Sequence, residues 1–234
     1  MINNNNDPTP QKIEEKPVEN NQKSPNESTG IYVRGHIKIS DVTDRANPIV
    51  LRDKFNAIHY ENMSVALANS IANKSQNFIY EMNFGNGGTS VDPTGIITYL
   101  PTNTTGQNAN LYNPTYSKIV DNTSIANPDP VNNYMSATHI PGTVYTDILV
   151  SCLLDYGEPS GQQAFDNSTD LNGEYVFDEL GLRGASTDGT VGLLSTGLLL
   201  THVVFHPVQK ALNRLIQIDY TVRIQTLTNL STLG

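Results

Sequence analysis

Several groups of residues in this chain have types and spacings that could do chemistry. Gly85-Asn86-Gly87-Gly88-Thr89 follows an apolar run, as a phosphate-binding loop would. Such a loop needs a Lys and a Ser or Thr behind its glycines, at the start of a helix, so that backbone N–H groups and the ammonium meet the phosphates. Here Ser90-Val91-Asp92-Pro93 follows, with no Lys and no helical pattern, and the glycines read as a tight turn that permits positive φ. His202 and His206 would share a helix face as metal ligands, but Val203-Val204-Phe205 between them reads as strand. On a strand the two imidazoles stand ~13 Å apart, too far for one ion. His36, His59 and His139 are scattered, so no metal ligand is assigned.

Asp166, Asp170 and Glu174, with Asn167 and Asn172, form an oxygen-rich stretch without the ligand spacing of a calcium loop, and it reads as a solvated turn. Ser195 lies in Gly192-Leu193-Leu194-Ser195-Thr196-Gly197, one position away from a nucleophile elbow. Cys152, the single cysteine, sits in the apolar run Ile148 to Leu154 and reads as a small buried hydrophobe; alone it builds neither a disulfide nor a cysteine zinc site. Asp178 and Glu179 form a carboxylate pair, but neighbours on a strand point to opposite faces. The residues therefore assign no catalytic, cofactor-binding or metal-ligating position, and the expectation is a protein that is not an enzyme and needs no cofactor.

The elements that carry these residues are mostly strands. Ile31, Val33, Ile37 and Ile39 alternate, and Ile49 to Ala57 reads as a hairpin partner. Met63, Ala66, Leu67, Ser70 and Ile71 follow helical spacing, which predicts one prominent helix over about 62–74, capped by Asn62 and ended by Asn73 or Asn77. Phe78 to Phe84, Val144 to Leu154 and Leu198 to Phe205 read as strands, with a bend bracketed by Pro207 and Asn213. Tyr175 to Leu180 reads as a strand ending in a turn at residues 181–184. Leu215 to Ile224 alternates cleanly and predicts a half-exposed strand. Residues 86–143 hold Pro93, Pro101, Pro114, Pro128, Pro130 and Pro141 among many Asn and Thr, and read as a long loop with a short strand near Leu111 to Val120. The fold class expected is mainly β, an antiparallel β-sandwich with one helix.

Composition sets the organisation. Residues 1–29 are almost wholly Asn, Pro, Lys, Glu, Gln and Ser, too polar to offset the entropy of ordering. They read as a flexible or extended N-terminal arm on a body at 30–224, followed by a small polar tail at 225–234. Only 16% of residues are charged and the net charge is −9, which repels phosphate backbones and argues against nucleic acid as a partner. No stretch reaches the ~20 apolar residues of a membrane span, and no signal peptide opens the chain, so a soluble, cytoplasm-made protein without a membrane partner is expected.

The order of motifs carries a further expectation. Asn56-Ala57-Ile58-His59 leads to Asn62-Met63 and Ala66-Leu67-Ala68. Phe84-Gly85-Asn86-Gly87-Gly88 and Leu111-Tyr112-Asn113 with Tyr116 follow. Then come Phe177-Asp178-Glu179-Leu180-Gly181-Leu182, the run Leu200 to Lys210 with Phe205-His206-Pro207-Val208, and Asp219-Tyr220-Thr221-Val222-Arg223-Ile224. Over residues 31–224 this series resembles small structural proteins of tailed bacteriophages, including collar and tail-fibre-attachment proteins. The resemblance implies a virion component made in the host cytoplasm. It would assemble through its arm and long loop into a ring or lattice at the neck, collar or tail, with other virion proteins and copies of itself as partners. It transfers no catalytic residue. The alternatives are a capsid decoration protein, a host-surface glycan-recognition module, and a hydrolase on a β-sandwich for which no triad is found.

Overall fold

The computed structural model describes residues 30–74, 78–159, 174–186 and 189–227. In chain order the elements are β1 (Gly30–Asp41), β2 (Ile49–Ile58), α1 (Tyr60–Ile71), β3 (Ile79–Gly85), β4 (Thr89–Val91), β5 (Ile97–Tyr99), β6 (Pro114–Ile119), β7 (Tyr134–His139), β8 (Tyr145–Leu154), β9 (Glu174–Gly184), β10 (Thr201–Ala211) and β11 (Ile216–Leu227). Nine strands form one antiparallel sheet in the order β6-β3-β9-β10-β2-β1-β11-β8-β7, and β4 and β5 pair as a small hairpin.

The join between β10 and β2 rests on two residue pairs, Thr201↔Ile58 and His202↔Ala57. The sheet divides there into two halves, and a single apolar cluster draws on both. Ile37 and Ile39 of β1 and Ile216, Ile218 and Tyr220 of β11 come from one half; Met82, Phe84, Phe177, Leu180 and Phe205 come from the other. This is the mainly β, sandwich-like architecture that the alternating strands predict. Phe177 meets Phe84 and Phe205 edge-on, with ring centroids 5.5 and 5.8 Å apart. Each fully buried ring contributes ~1.5–3 kcal/mol through the area it removes from water, and each aromatic pair ~0.5–1.5 kcal/mol beyond that.

Helix α1 links the two halves. Met63 and Ala66 face the core, and Leu67 packs against it. The helix starts earlier than its apolar spacing suggests, because His59 rather than Asn62 is the N-cap: His59 Nδ1 accepts the Asn62 N–H at 3.2 Å. Asn62 lies inside the helix, fully buried, and its Nδ2 donates to Leu199 O at 2.9 Å. The end is where Asn73 places it. Asn73 has φ 54°, Lys74 N–H donates to Asn69 O at 2.8 Å, and Asn73 N–H donates to Ser70 O at 3.3 Å, the paired bonds of a Schellman cap.

Five readings from the sequence need correction. Residues 86–143 are not one loop: they contain β4, β5, β6 and β7. β9 runs straight through Gly181-Leu182-Arg183-Gly184, since Leu182 and Arg183 pair with Met82 and Glu81. β10 continues past Pro207 to Ala211; the ladder to β9 shifts register between Val204 and Val208, and that irregularity accommodates a residue without an N–H. The body runs to Leu227 rather than Ile224, because Leu227 pairs with Gly30. Ile31, read as inward-facing, is 57% exposed, since the start of β1 extends beyond the core. The arm at 1–29, Asn77, the oxygen-rich stretch from Asp166 to Asn172 and most of the tail lie outside the described residues.

Candidate functional site

The chemistry-bearing residues converge where β9 passes the glycine-rich segment. Asp178 Oδ1 accepts from Gly88 N–H at 2.9 Å, and Oδ2 accepts from the Thr89 N–H at 2.8 Å and from the Thr89 hydroxyl. Glu179 Oε1 accepts from Gly87 N–H at 3.1 Å and Asn113 N–H at 2.8 Å. Its Oε2 accepts from Tyr112 N–H at 2.9 Å and lies 3.0 Å from His202 Nε2. The run Gly87-Gly88-Thr89 thus presents consecutive amides to anions, as a phosphate loop does, but the anions are the protein's own carboxylates.

The glycines serve close approach rather than left-handed backbone; none of Gly85, Gly87 and Gly88 has positive φ. A Cβ on Gly85 would lie 2.4 Å from Glu179 Oε1 and 2.7 Å from Asn113 O. A Cβ on Gly88 would lie 2.9 Å from Val204 Cγ1.

His202 completes this centre. The Asn103 N–H donates to Nδ1 at 2.8 Å, so the hydrogen of the neutral ring sits on Nε2 and points to Glu179. Both His202 and Glu179 are fully buried. A catalytic imidazole needs its second nitrogen open to a nucleophile. Here that nitrogen is taken by a backbone amide. Burial pushes the Glu179 carboxyl up, but the hydrogen bonds from His202, Asn113, Tyr112 and Gly87 outweigh it and hold the group below the usual carboxylate range. Burial wins at Asp178, where its bonds to Thr89 and Gly88 only partly offset the rise and the charge of Glu179 adds to it.

A second buried cluster lies one strand away. Glu81 Oε1 accepts the Ser195 N–H at 2.7 Å and lies 4.0 Å from Arg183 Nε. Arg183 Nη1 donates to Gly197 O at 2.6 Å and its Nη2 to Asn110 Oδ1. Asn83 Nδ2 donates to Ser117 Oγ at 2.7 Å and Ser195 Oγ at 3.0 Å. Burial pushes the Glu81 carboxyl up to about 7, against the Ser195 N–H, the Arg183 charge and Asn83. Ser195 has φ 61°, the left-handed backbone of an elbow, but its hydroxyl meets Asn83 and Ser117, and Glu81 takes its backbone N–H instead. Its chemistry is that of a loop anchor.

The remaining sequence candidates stay apart. His206 is exposed and lies 3.2 Å from the Tyr99 hydroxyl, so the two histidines do not meet. Cys152 is fully buried, and burial pushes its thiol up to about 12, which keeps it protonated. Among the described residues no group of three or more His, Cys, Asp or Glu is placed to hold a metal ion. Setting Asp178 and Glu179 aside as opposite-facing missed the centre. The signal was two acids inside an apolar strand, since a buried carboxylate must find donors.

The surface around α1 is different in kind. A groove of about 570 Å³ runs between α1 and β7, β8 and β11, with Met63, Leu67, Phe78, Met135, Ile148 and Ile224 in its walls. A second, of about 470 Å³, lies between α1 and the start of β1, walled by Ile31, Val33, Tyr60, Leu67 and Ile71. On α1 itself Tyr60 is 69% exposed and Ile71 79%; on β2, Ile49 is 63% exposed and Phe55 61%.

No family model, no curated protein and no solved structure matches this chain.

Proposed function

We propose that this chain is a structural component of a tailed-bacteriophage virion. It assembles with copies of itself and with other virion proteins into a ring or lattice at the neck, collar or tail. The observation that carries the contact role is the division of the surface. The buried carboxylates are committed to the protein's own loop amides, whereas among the described residues large apolar side chains and two apolar grooves remain uncovered around α1. Exposed apolar patches of this kind mark contact surfaces. The virion setting is supported by the order of the sequence motifs. Residues 1–29, polar and rich in Asn and Pro, and the outer strands of the 86–143 segment are the proposed contact elements.

The test is absolute molar mass in solution, for the full chain and for a chain beginning at Gly30. A closed ring or large oligomer that breaks down to a single chain or a pair of chains without residues 1–29 supports assembly through the arm. Single chains in both cases count against it.

A further inference from the structure

The two ends of the sheet are protected differently. β6 is one edge. It begins at Pro114, shifts register against β3 between Phe84 and Gly85, carries Lys118, and has Ser195 hydrogen-bonded to its Ser117. These are the devices that keep a sheet edge from pairing with another chain. β7, the other edge, has among the described residues only one such contact, from Asn122 to Met135. Its ladder with β8 is unbroken from Tyr134↔Ser151 to His139↔Thr146, and Ser136 to His139 are exposed.

The ladder also fixes which backbone groups face outward. Met135 N–H donates to Asn122 Oδ1 at 3.2 Å, on the side away from β8, and Leu153 N–H donates to Asn133 Oδ1 at 3.0 Å on the β7 side. Antiparallel pairs alternate. Tyr134, Ser136 and Thr138 therefore bond to β8, while Ala137 and His139 turn their N–H and C=O groups outward.

We infer that β7 is a self-pairing edge: it adds β7 of a second copy, antiparallel about a two-fold axis at Ala137. This deepens the assembly reading and rests on it for the identity of the partner. Two observations select a second copy. The chain carries a net charge of −9, yet residues 131–146 contain no Asp, Glu, Lys or Arg, so like charges do not meet across this edge. Exposed apolar residues lie at both ends of β7, with Val131 at 80% before it and Ile140 at 52% and Val144 at 54% after it. A dyad at Ala137 brings the Val131 end of each copy against the Ile140–Val144 end of the other. Ala137 then exchanges both backbone bonds with its own counterpart, and Ser136 faces Thr138 of the second copy in the closer, non-hydrogen-bonded pair. Met135 pairs with His139 of the second copy, giving up its bond to Asn122. Met135 and Ala137 also line the groove beside α1, so the grooves of the two copies lie side by side.

The test uses the full chain. Ala137→Pro removes an N–H that points away from β8, so the fold keeps its ladder and its unfolding temperature. It removes both central bonds of the dimer, and the dimer dissociation constant is expected to rise about tenfold or more. A mixture of Ser136→Cys and Thr138→Cys chains should form a disulfide-linked dimer on mild oxidation, whereas Thr138→Cys alone should not; native Cys152 is fully buried and does not interfere. A wild-type dimer weakened by Ala137→Pro and trapped by the Ser136→Cys and Thr138→Cys mixture supports the inference. A larger assembly that Ala137→Pro leaves unchanged overturns it while the assembly reading stands. Single chains at every concentration, with or without other virion proteins, overturn both. Single chains whose Ala137 amide becomes protected from exchange only when another virion protein is added give the edge to a foreign strand and overturn self-pairing.

Discussion

The β9 centre and the α1 face belong to the same body and treat their chemistry in opposite ways. At β9, Asp178 and Glu179 are buried and accept hydrogen bonds from Gly87, Gly88, Thr89, Tyr112 and Asn113. Around α1, apolar side chains such as Tyr60 and Ile71 stand in solvent and line grooves that nothing among the described residues fills. The first region fixes the chain's own loops, and damage to it should appear as lost stability. The second adds little to folding, and damage to it should appear in association. Mutations that reverse these outcomes would break the comparison.

The largest effect is expected at Glu179. Glu179→Ala removes the acceptor for three backbone N–H groups and for His202, leaving them buried without a partner. The expected loss is about 3–5 kcal/mol in urea unfolding. Glu179→Gln keeps one carbonyl acceptor and should lose less. A loss below ~1 kcal/mol for the alanine variant would mean the loop is held by other contacts.

Next is Glu81, through pH. An unfolded Glu titrates near 4.5 and Glu81 in the fold near 7, so the folded state holds this proton more tightly. Its contribution to stability is complete below pH 4.5 and is lost as pH rises through 7, up to ~3 kcal/mol. Glu81→Gln should flatten that part of the profile of unfolding free energy against pH. Glu179, whose pKa is lowered, acts in the other direction: its contribution is present above pH 4.5 and lost as pH falls through its folded value. An equal slope in wild type and Glu81→Gln would show that Glu81 is not the titrating group.

Gly85→Ala should cost less, about 1–3 kcal/mol, because the added methyl meets Glu179 and the Asn113 carbonyl while leaving the carboxylates in place. Paired with Glu179→Ala it should be non-additive, since removing the carboxylate also relieves the clash. A double-mutant cycle measures this directly.

The parts of the fold legible in the sequence are those where period and burial coincide. Ile216, Ile218, Tyr220 and Val222 alternate inward on β11, and Met63, Ala66 and Leu67 repeat on α1. What was not legible has identifiable causes. β7 reads Tyr-Met-Ser-Ala-Thr-His because its edge position exposes most of it, which removes the apolar alternation a strand is recognised by. β9 crosses Gly181 and β10 crosses Pro207, residues that locally signal turns. At Gly181 the tertiary reason is a close approach, since a Cβ there would lie 2.7 Å from Leu199 Cδ1 and 2.8 Å from Thr201 O. The carboxylate centre joins residues far apart in the chain, such as Asn103 with His202 and Tyr112 with Glu179, and no local pattern encodes such pairs.

The smallest effect on folding is expected on the α1 face, and it tests the other half of the comparison. Ile71 is 79% exposed, sits in the last turn of α1 and lines the groove beside β1. Ile71→Gln removes apolar surface that is already in water and replaces it with a residue slightly better suited to a helix. Thermal unfolding should therefore change by no more than ~0.5 kcal/mol. Because the Ala137 dyad lies on β7 and Ile71 lines the other groove, the β7 contact should survive this change. Any larger assembly that uses the α1 face should weaken, seen as a lower molar mass at the same concentration. A loss of stability above ~1.5 kcal/mol would place Ile71 among the groups that hold the fold together, and the division between a self-bonded end and an open face would fail at that point.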